Sequence, residues 1–216
     1  MKILVLFFIS TVAYGQDQWK NVYTENAWND RDHWQKASSL IAQLDLKDGS
    51  SVADIGCHEG YMTVKLSRSV GTSGRVYAVD IVKEKLDKMK IILEKRDIKN
   101  VIPVLADDSD PKLPLNSLDG VIILDTYHEI NQYDKVLQHI QQSLRPKGRL
   151  VLCEAIAESR RKEPRTAQQS KHELGMSYAI ADLKKAGFKV LKAEDPFVDR
   201  TKEKGDKMWM IVAEKK

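Results

Sequence analysis

The sequence predicts an α/β protein built on a doubly wound, mostly parallel sheet with helices on both faces. Three observations lead there. Short apolar, β-branched runs alternate along the chain with amphipathic stretches of helical period. The first run empties into a glycine turn, Asp54-x-Gly56-x-x-x-Gly60, and then into a helix. The length of 216 residues with 42% hydrophobic content suits one domain with a sizeable core.

Taken in order, the first fifteen residues are set apart. Lys2, the apolar run Ile3 to Val12 and the ending Ala13-Tyr14-Gly15 have the order of a secretory signal, with cleavage expected before Gln16. The run is shorter than the roughly 20 apolar residues that cross a bilayer, so no transmembrane helix is expected in the mature chain. Residues 16–47 are expected to form a helical cap rich in tryptophan (Trp19, Trp28, Trp34), and residues 48–216 the main domain. Strands are expected at Ser51 to Gly56, Arg75 to Ile81, Val101 to Asp107, Asp119 to Asp125, Gly148 to Ala155, Phe188 to Asp195 and Lys207 to Glu214. Helices are expected at Lys83 to Arg96, at Tyr133 to Arg145 before Pro146 and Gly148, and at a stretch opened by His172. Such alternation means a parallel sheet covered on both sides.

Charge narrows the partners. The balance of 35 Lys+Arg against 31 Asp+Glu gives +4, with no basic stripe interleaved with aromatics, so nucleic acid is not expected. A small molecule or a protein is the expected substrate, and nothing in the sequence sets an oligomeric state.

In a doubly wound sheet the ligand lies at the carboxyl ends of the strands, where strand order reverses. Gly56 and Gly60 let the backbone turn there and approach a ligand. A dinucleotide turn has a second glycine where this chain has His58, which disfavours a pyrophosphate. Asp54 suits a cationic amine, Asp80 at the end of the next strand suits two ribose hydroxyls, and Asp107 after the third suits an adenine amino group. The plainer reading of Asp54 is a turn cap. An amino acid, a ribose and an adenine in that order make S-adenosylmethionine.

From roughly Asp32 to the C-terminus the chain resembles the class I S-adenosylmethionine-dependent methyltransferases. "VADIGCHEGYMT" resembles their first motif, "VYAVDI" the ribose-binding strand end, "LADDSDPKLPLNSLDGVIILDTYHEI" the adenine acid and fourth strand, and "LRPKGRLVL" the fifth. The resemblance implies a Rossmann-like sheet of seven strands with an antiparallel C-terminal pair. It puts strands 1, 4 and 5 side by side, so Cys57 and Cys153 stand two strand spacings apart, roughly 9 to 10 Å. A disulfide needs Cα atoms within about 7 Å, so free thiols are expected. "RDHWQK" together with "DTYHE" resembles a bacterial exported subgroup, which implies a periplasmic or secreted enzyme; the alternative to the signal reading is a cytoplasmic one.

Chemistry is expected at "DTYHEI". His128 is the candidate general base, Tyr127 a ring against the sulfonium and Asp125 a polar wall. The alternative for Tyr127 and His128 is packing beneath the N-terminal segment. Trp28, Arg31 and Trp34 are candidates for a lid, with Trp34 mainly structural. His172 is placed near the acceptor side. No H-E-x-x-H or Cys-x-x-Cys is present, and no metal is expected. Two functions remain open: a methyltransferase, or a module that binds the adenosyl ligand without turnover.

Overall fold

The computed structural model describes residues 23–216. The expected signal segment and Trp19 lie outside the described residues. A 3₁₀ turn at Glu25–Ala27 leads into two short helices, α1 (Trp28–Trp34) and α2 (Ala37–Ala42). The alternating body then begins: β1 (Ser51–Ile55), α3 (Tyr61–Ser69), β2 (Arg75–Asp80), α4 (Lys83–Lys95), β3 (Val101–Leu105), β4 (Leu118–Leu124), α5 (Tyr133–Ser143) and β5 (Leu144–Ile156). The last part holds α6 (Arg165–Gln169), α7 (Met176–Lys185), β6 (Phe188–Arg200), α8 (Thr201–Lys204) and β7 (Asp206–Lys215).

Seven strands form one sheet in the order β3-β2-β1-β4-β5-β7-β6. The first five are parallel, and β7 runs antiparallel to both β5 and β6. Strand alternation divides the apolar residues between two faces. Ile122 and Leu124 on β4, with Met208, Met210 and Val212 on β7, join the core that includes Leu40, Leu66, Leu86 and Met89. Their neighbours Val121, Ile123, Trp209, Ile211 and Ala213 join Leu137, Ile140 and Leu183 on the opposite face. Strand order reverses between β1 and β4, which opens a crevice at their carboxyl ends.

Three elements differ from expectation. The fifth strand starts at Leu144, four residues before Gly148, directly after α5 ends at Ser143. The helix read from His172 starts at Met176, because His172 takes a left-handed φ of 57° and Gly175 caps the helix in extended backbone. The sixth strand runs on to Arg200, past Pro196, carrying Arg200 to the crevice. Cys57 and Cys153 are both buried free thiols.

Candidate active site

A cavity of about 910 Å³ occupies the crevice. Its cofactor-sized end is built by the turn between β1 and α3. Gly56 takes φ +73° and Gly60 φ +95°, values that side chains resist. The N–H groups of Gly56 and Cys57 both donate to the Val79 carbonyl, at 2.9 and 3.0 Å, which ties the turn to β2. Gly60 shapes the start of α3 and does not line the cavity.

Asp54, Gly56, His58, Asp80 and Asp107 all line it. Asp54 is 2% exposed and accepts the Thr63 hydroxyl at 2.6 Å. Burial pushes its carboxyl up from 3.8 to about 6, against the Thr63 bond and the Arg31 charge. Asp80 accepts the backbone N–H of His58 on one oxygen and of Val82 on the other, each at 2.9 Å. Each oxygen keeps a further lone pair for a ligand hydroxyl. Beside it Ile81 is 58% exposed, an apolar surface on the cavity wall. Asp107 is exposed and pairs with Lys112 at 3.1 Å. His58 turns its ring toward Tyr23, with centroids 5.7 Å apart. Burial and the cations Lys85 and Arg31 push its pKa down to about 4, so the ring is neutral. Its Nδ1 is buried without a hydrogen-bond partner among the described residues.

The other end is made by charges. β4 ends on Asp125, which takes φ +55° and donates its N–H to the Cys153 carbonyl at 2.8 Å. Its carboxylate accepts the Tyr23 hydroxyl at 2.8 Å and the Arg200 guanidinium at 2.9 Å. Burial alone would raise its pKa, but Arg200, Lys204 and His128 hold it far below the usual range. Arg200 also binds Asp206. Lys204 is pushed down to about 7 by burial and by the cations Arg200 and Arg31, against the pull of Asp125. Arg31 is buried, its guanidinium 4.2 Å from the Tyr61 ring centroid and 5.2 Å from that of Tyr23.

His128 lies on a 3₁₀ turn, Tyr127–Glu129, and lines the cavity. Its Nδ1 meets Glu154 Oε2 at 2.7 Å. Glu154, fully buried on β5, also accepts the N–H groups of Thr126 and Tyr127. Burial pushes the imidazole down, but Glu154 and Glu129 outweigh it and raise its pKa to about 10. These carboxylates favour the charged form of the ring, and Glu154 fixes the imidazole by Nδ1 with Nε2 toward Glu129.

Tyr127 is also corrected. It is fully buried on the opposite face of the sheet, packed edge-on against Tyr133 with its hydroxyl 3.0 Å from Asp182, and is not part of the cavity wall. The turn after Asp125 sends Tyr127 and His128 to different sides. Of the candidate lid, only Arg31 reaches the cavity: Trp28 is buried edge-on to Tyr61, and Trp34 packs against the core.

Sequence reading missed Tyr23, Glu154 and Arg200. The signal for Glu154 was a lone carboxylate in the apolar strand "GRLVLCEA". A charge there needs a partner, and the partner is His128.

A methyltransferase domain family model matches residues 46–210. The chain belongs to that family. It is 25% identical over 124 residues to a demethylmenaquinone methyltransferase of Geobacillus sp. (strain WCH70), covering 57% of this chain and 53% of that one. It is 29% identical over 116 residues to a protein-L-isoaspartate O-methyltransferase of Aeropyrum pernix, covering 52% and 42%. The match thus spans about half the length of these curated relatives. Among solved structures, a SAM dependent methyltransferase from Aquifex aeolicus superposes with a TM-score of 0.73 at 22% identity, covering 87% of this chain and 93% of that one. The cyclase SpnF superposes with a TM-score of 0.72 at 15% identity, covering 84% and 80%. Likeness at this distance establishes the Rossmann-like α/β fold and leaves the reaction to the site.

Proposed function

We propose that the chain transfers a methyl group from S-adenosylmethionine to a small-molecule or protein acceptor. The observation that carries this reading is the row of strand-end acids along one cavity: a buried Asp54, then Asp80 beside exposed Ile81, then Asp107. Asp54 suits the ligand's ammonium, Asp80 its ribose hydroxyls, Ile81 the face of its adenine and Asp107 the adenine amino group. His58 lines the cavity where a dinucleotide turn has its second glycine, with its ring turned toward Tyr23. A geranyl diphosphate C-methyltransferase from Streptomyces coelicolor A3(2), of similar fold with a TM-score of 0.70, holds S-adenosyl-L-homocysteine.

When bound, the cofactor supplies a methyl on a sulfonium. The new bond forms from the acceptor's electron pair to the methyl carbon, while the carbon–sulfur electrons leave with sulfur. This chain's own residues position and exclude water. Asp125 fixes Tyr23 and Arg200 along one wall, and His128 borders the space open to an acceptor.

Titration with S-adenosylmethionine and S-adenosylhomocysteine tests the pocket. Asp80→Ala should weaken both by about tenfold or more, the effect of losing hydrogen bonds worth about 1.5 kcal/mol to a charged group. Unchanged affinity removes the ribose assignment. Labelled cofactor incubated with cell extract should pass its methyl to an acceptor. Binding without transfer instead favours a module that holds the adenosyl ligand without turnover.

The proposal extends to export as a periplasmic or secreted enzyme. Its support is Lys2, the apolar run Ile3 to Val12 and Ala13-Tyr14-Gly15. Among the described residues no helix is long and apolar enough to cross a membrane. Mass spectrometry should find a mature chain beginning at Gln16, and an intact Met1 on cytoplasmic protein overturns it.

A further inference from the structure

Three side chains at the acceptor end of the cavity converge without a role in holding the cofactor. His128 Nε2 is 3.8 Å from Glu129 Oε1, and His172 Nδ1 is 3.3 Å from the same oxygen. All three ligand atoms lie within 4.8 Å of one another, and all three residues line the cavity. A tetrahedral ion with bonds of about 2.1 Å holds its ligand atoms roughly 3.4 Å apart. We propose that His128, Glu129 and His172 bind one divalent transition-metal ion, with its remaining position open to the cavity for an acceptor's oxygen or nitrogen.

The donor set names the class of ion. Two imidazole nitrogens and one carboxylate suit zinc, iron, cobalt or manganese, whereas magnesium and calcium favour all-oxygen shells. Three protein ligands and one open position are the pattern of a catalytic rather than a structural site.

The groups behind the ligands support the assignment. Glu154, fully buried, holds His128 by Nδ1 at 2.7 Å and so leaves Nε2 toward Glu129. A carboxylate on the far nitrogen of a ligating histidine fixes its orientation and raises its basicity. The His172 loop is anchored with equal care. Glu173 accepts the Ala157 N–H at 3.0 Å and two bonds from Arg160 at 2.8 Å, and the Leu174 N–H reaches the Ala155 carbonyl at 3.0 Å. Gln169 Nε2 donates to the His128 carbonyl at 3.0 Å, joining the two ligand-bearing segments. His172 itself sits at φ 57°, uncommon for a residue with a side chain. A solvent-exposed His172–Glu129 pair contributes about 0 to 1 kcal/mol at most and needs none of this support. These contacts hold His172 and Glu129 at the cavity wall, where an ion would join them to His128. The expectation of no metal came from the absence of a local motif, and here the third ligand arrives from a distant loop.

The acceptor role rests on the methyl-transfer reading; ion binding does not. An acceptor hydroxyl on the ion would lose its proton to water more readily, as bound water does, and its oxygen would attack the methyl carbon. That would remove the need for a neutral histidine base.

The test is titration of the chelator-treated chain with Zn²⁺ and, separately, Co²⁺, whose visible absorption reports its coordination. One ion per chain is expected. The exposed His172→Ala, and Glu129→Gln, should each weaken it by at least about tenfold and change the Co²⁺ spectrum, with S-adenosylmethionine affinity unchanged. A wild-type chain that binds no stoichiometric ion, or variants that bind it equally well, overturns the site. Cofactor binding without ion binding defeats the metal site alone; ion binding without cofactor binding defeats the methyl-transfer reading and leaves the site standing.

Discussion

The two ends of the cavity are built on different principles. The end proposed for the cofactor comes from one continuous stretch, Asp54 to Asp107, in which three strands end side by side and the backbone places the acids. The end proposed for the acceptor draws Tyr23, Asp125, His128, Glu154, His172 and Arg200 from the whole length of the chain, and buried charges hold it together. One end depends on local geometry and the other on long-range electrostatic compensation. Substitutions should therefore fail in different ways at the two ends.

The largest effect is expected where compensation is densest. Arg200 is 2% exposed and binds both Asp125 and Asp206. Arg200→Leu leaves two buried carboxylates facing each other and should lower stability by about 3 to 5 kcal/mol. Urea denaturation measures it. A loss under about 1 kcal/mol would mean that the acceptor end is not held by charge, and the contrast would break.

The next effect probes the seam between the two ends. A Cβ on Gly56 would lie 2.3 Å from Thr126 Cγ2 and 2.8 Å from Thr126 Cβ, at φ +73°. Gly56→Ala should cost about 2 to 3 kcal/mol from left-handed backbone and overpacking together. Thermal melting should show the loss with the network of Arg200 intact. A neutral substitution would show that the turn can shift without disturbing β4.

The smallest change in stability has the opposite sign. Asp54 is raised by burial from 3.8 to about 6 in the folded chain, so folding favours its protonated form. The folded state then binds more protons than the unfolded state between those values. Stability from this group is full below about pH 4 and is lost as pH rises through about 6. The disfavoured charge costs on the order of a few kcal/mol at neutral pH, and Asp54→Asn should recover part of it, on the order of 1 to 2 kcal/mol. The variant should melt higher than the wild type at pH 7, and the gap should close toward pH 4. Its S-adenosylmethionine affinity should fall at least tenfold, because a neutral amide does not pair with an ammonium. A variant that melts lower and binds equally well would return Asp54 to the role of a turn cap.

Much of the fold was legible because strand and helix periods are local. The runs around Val52, Val76 and Ile122 each declare a buried strand, and the left-handed turn after Ile55 is declared by Gly56 and Gly60. Where a side chain points after a strand ends is not local. Tyr127 and His128 are neighbours in sequence, yet one packs under α7 and the other faces the cavity, because the 3₁₀ turn rotates successive residues to different sides. No spacing in "DTYHEI" distinguishes them.

By itself the sequence determined the alternating order of strands and helices, the glycine turn and the acids that close successive strands. Each follows from periodicity or backbone freedom within a few residues. The tertiary structure decided the pairing of His128 with Glu154, the pairing of Asp125 with Arg200 and the meeting of His172 with Glu129. Those depend on burial and on charges brought within hydrogen-bonding range from remote segments, and burial is a property of the packed chain alone.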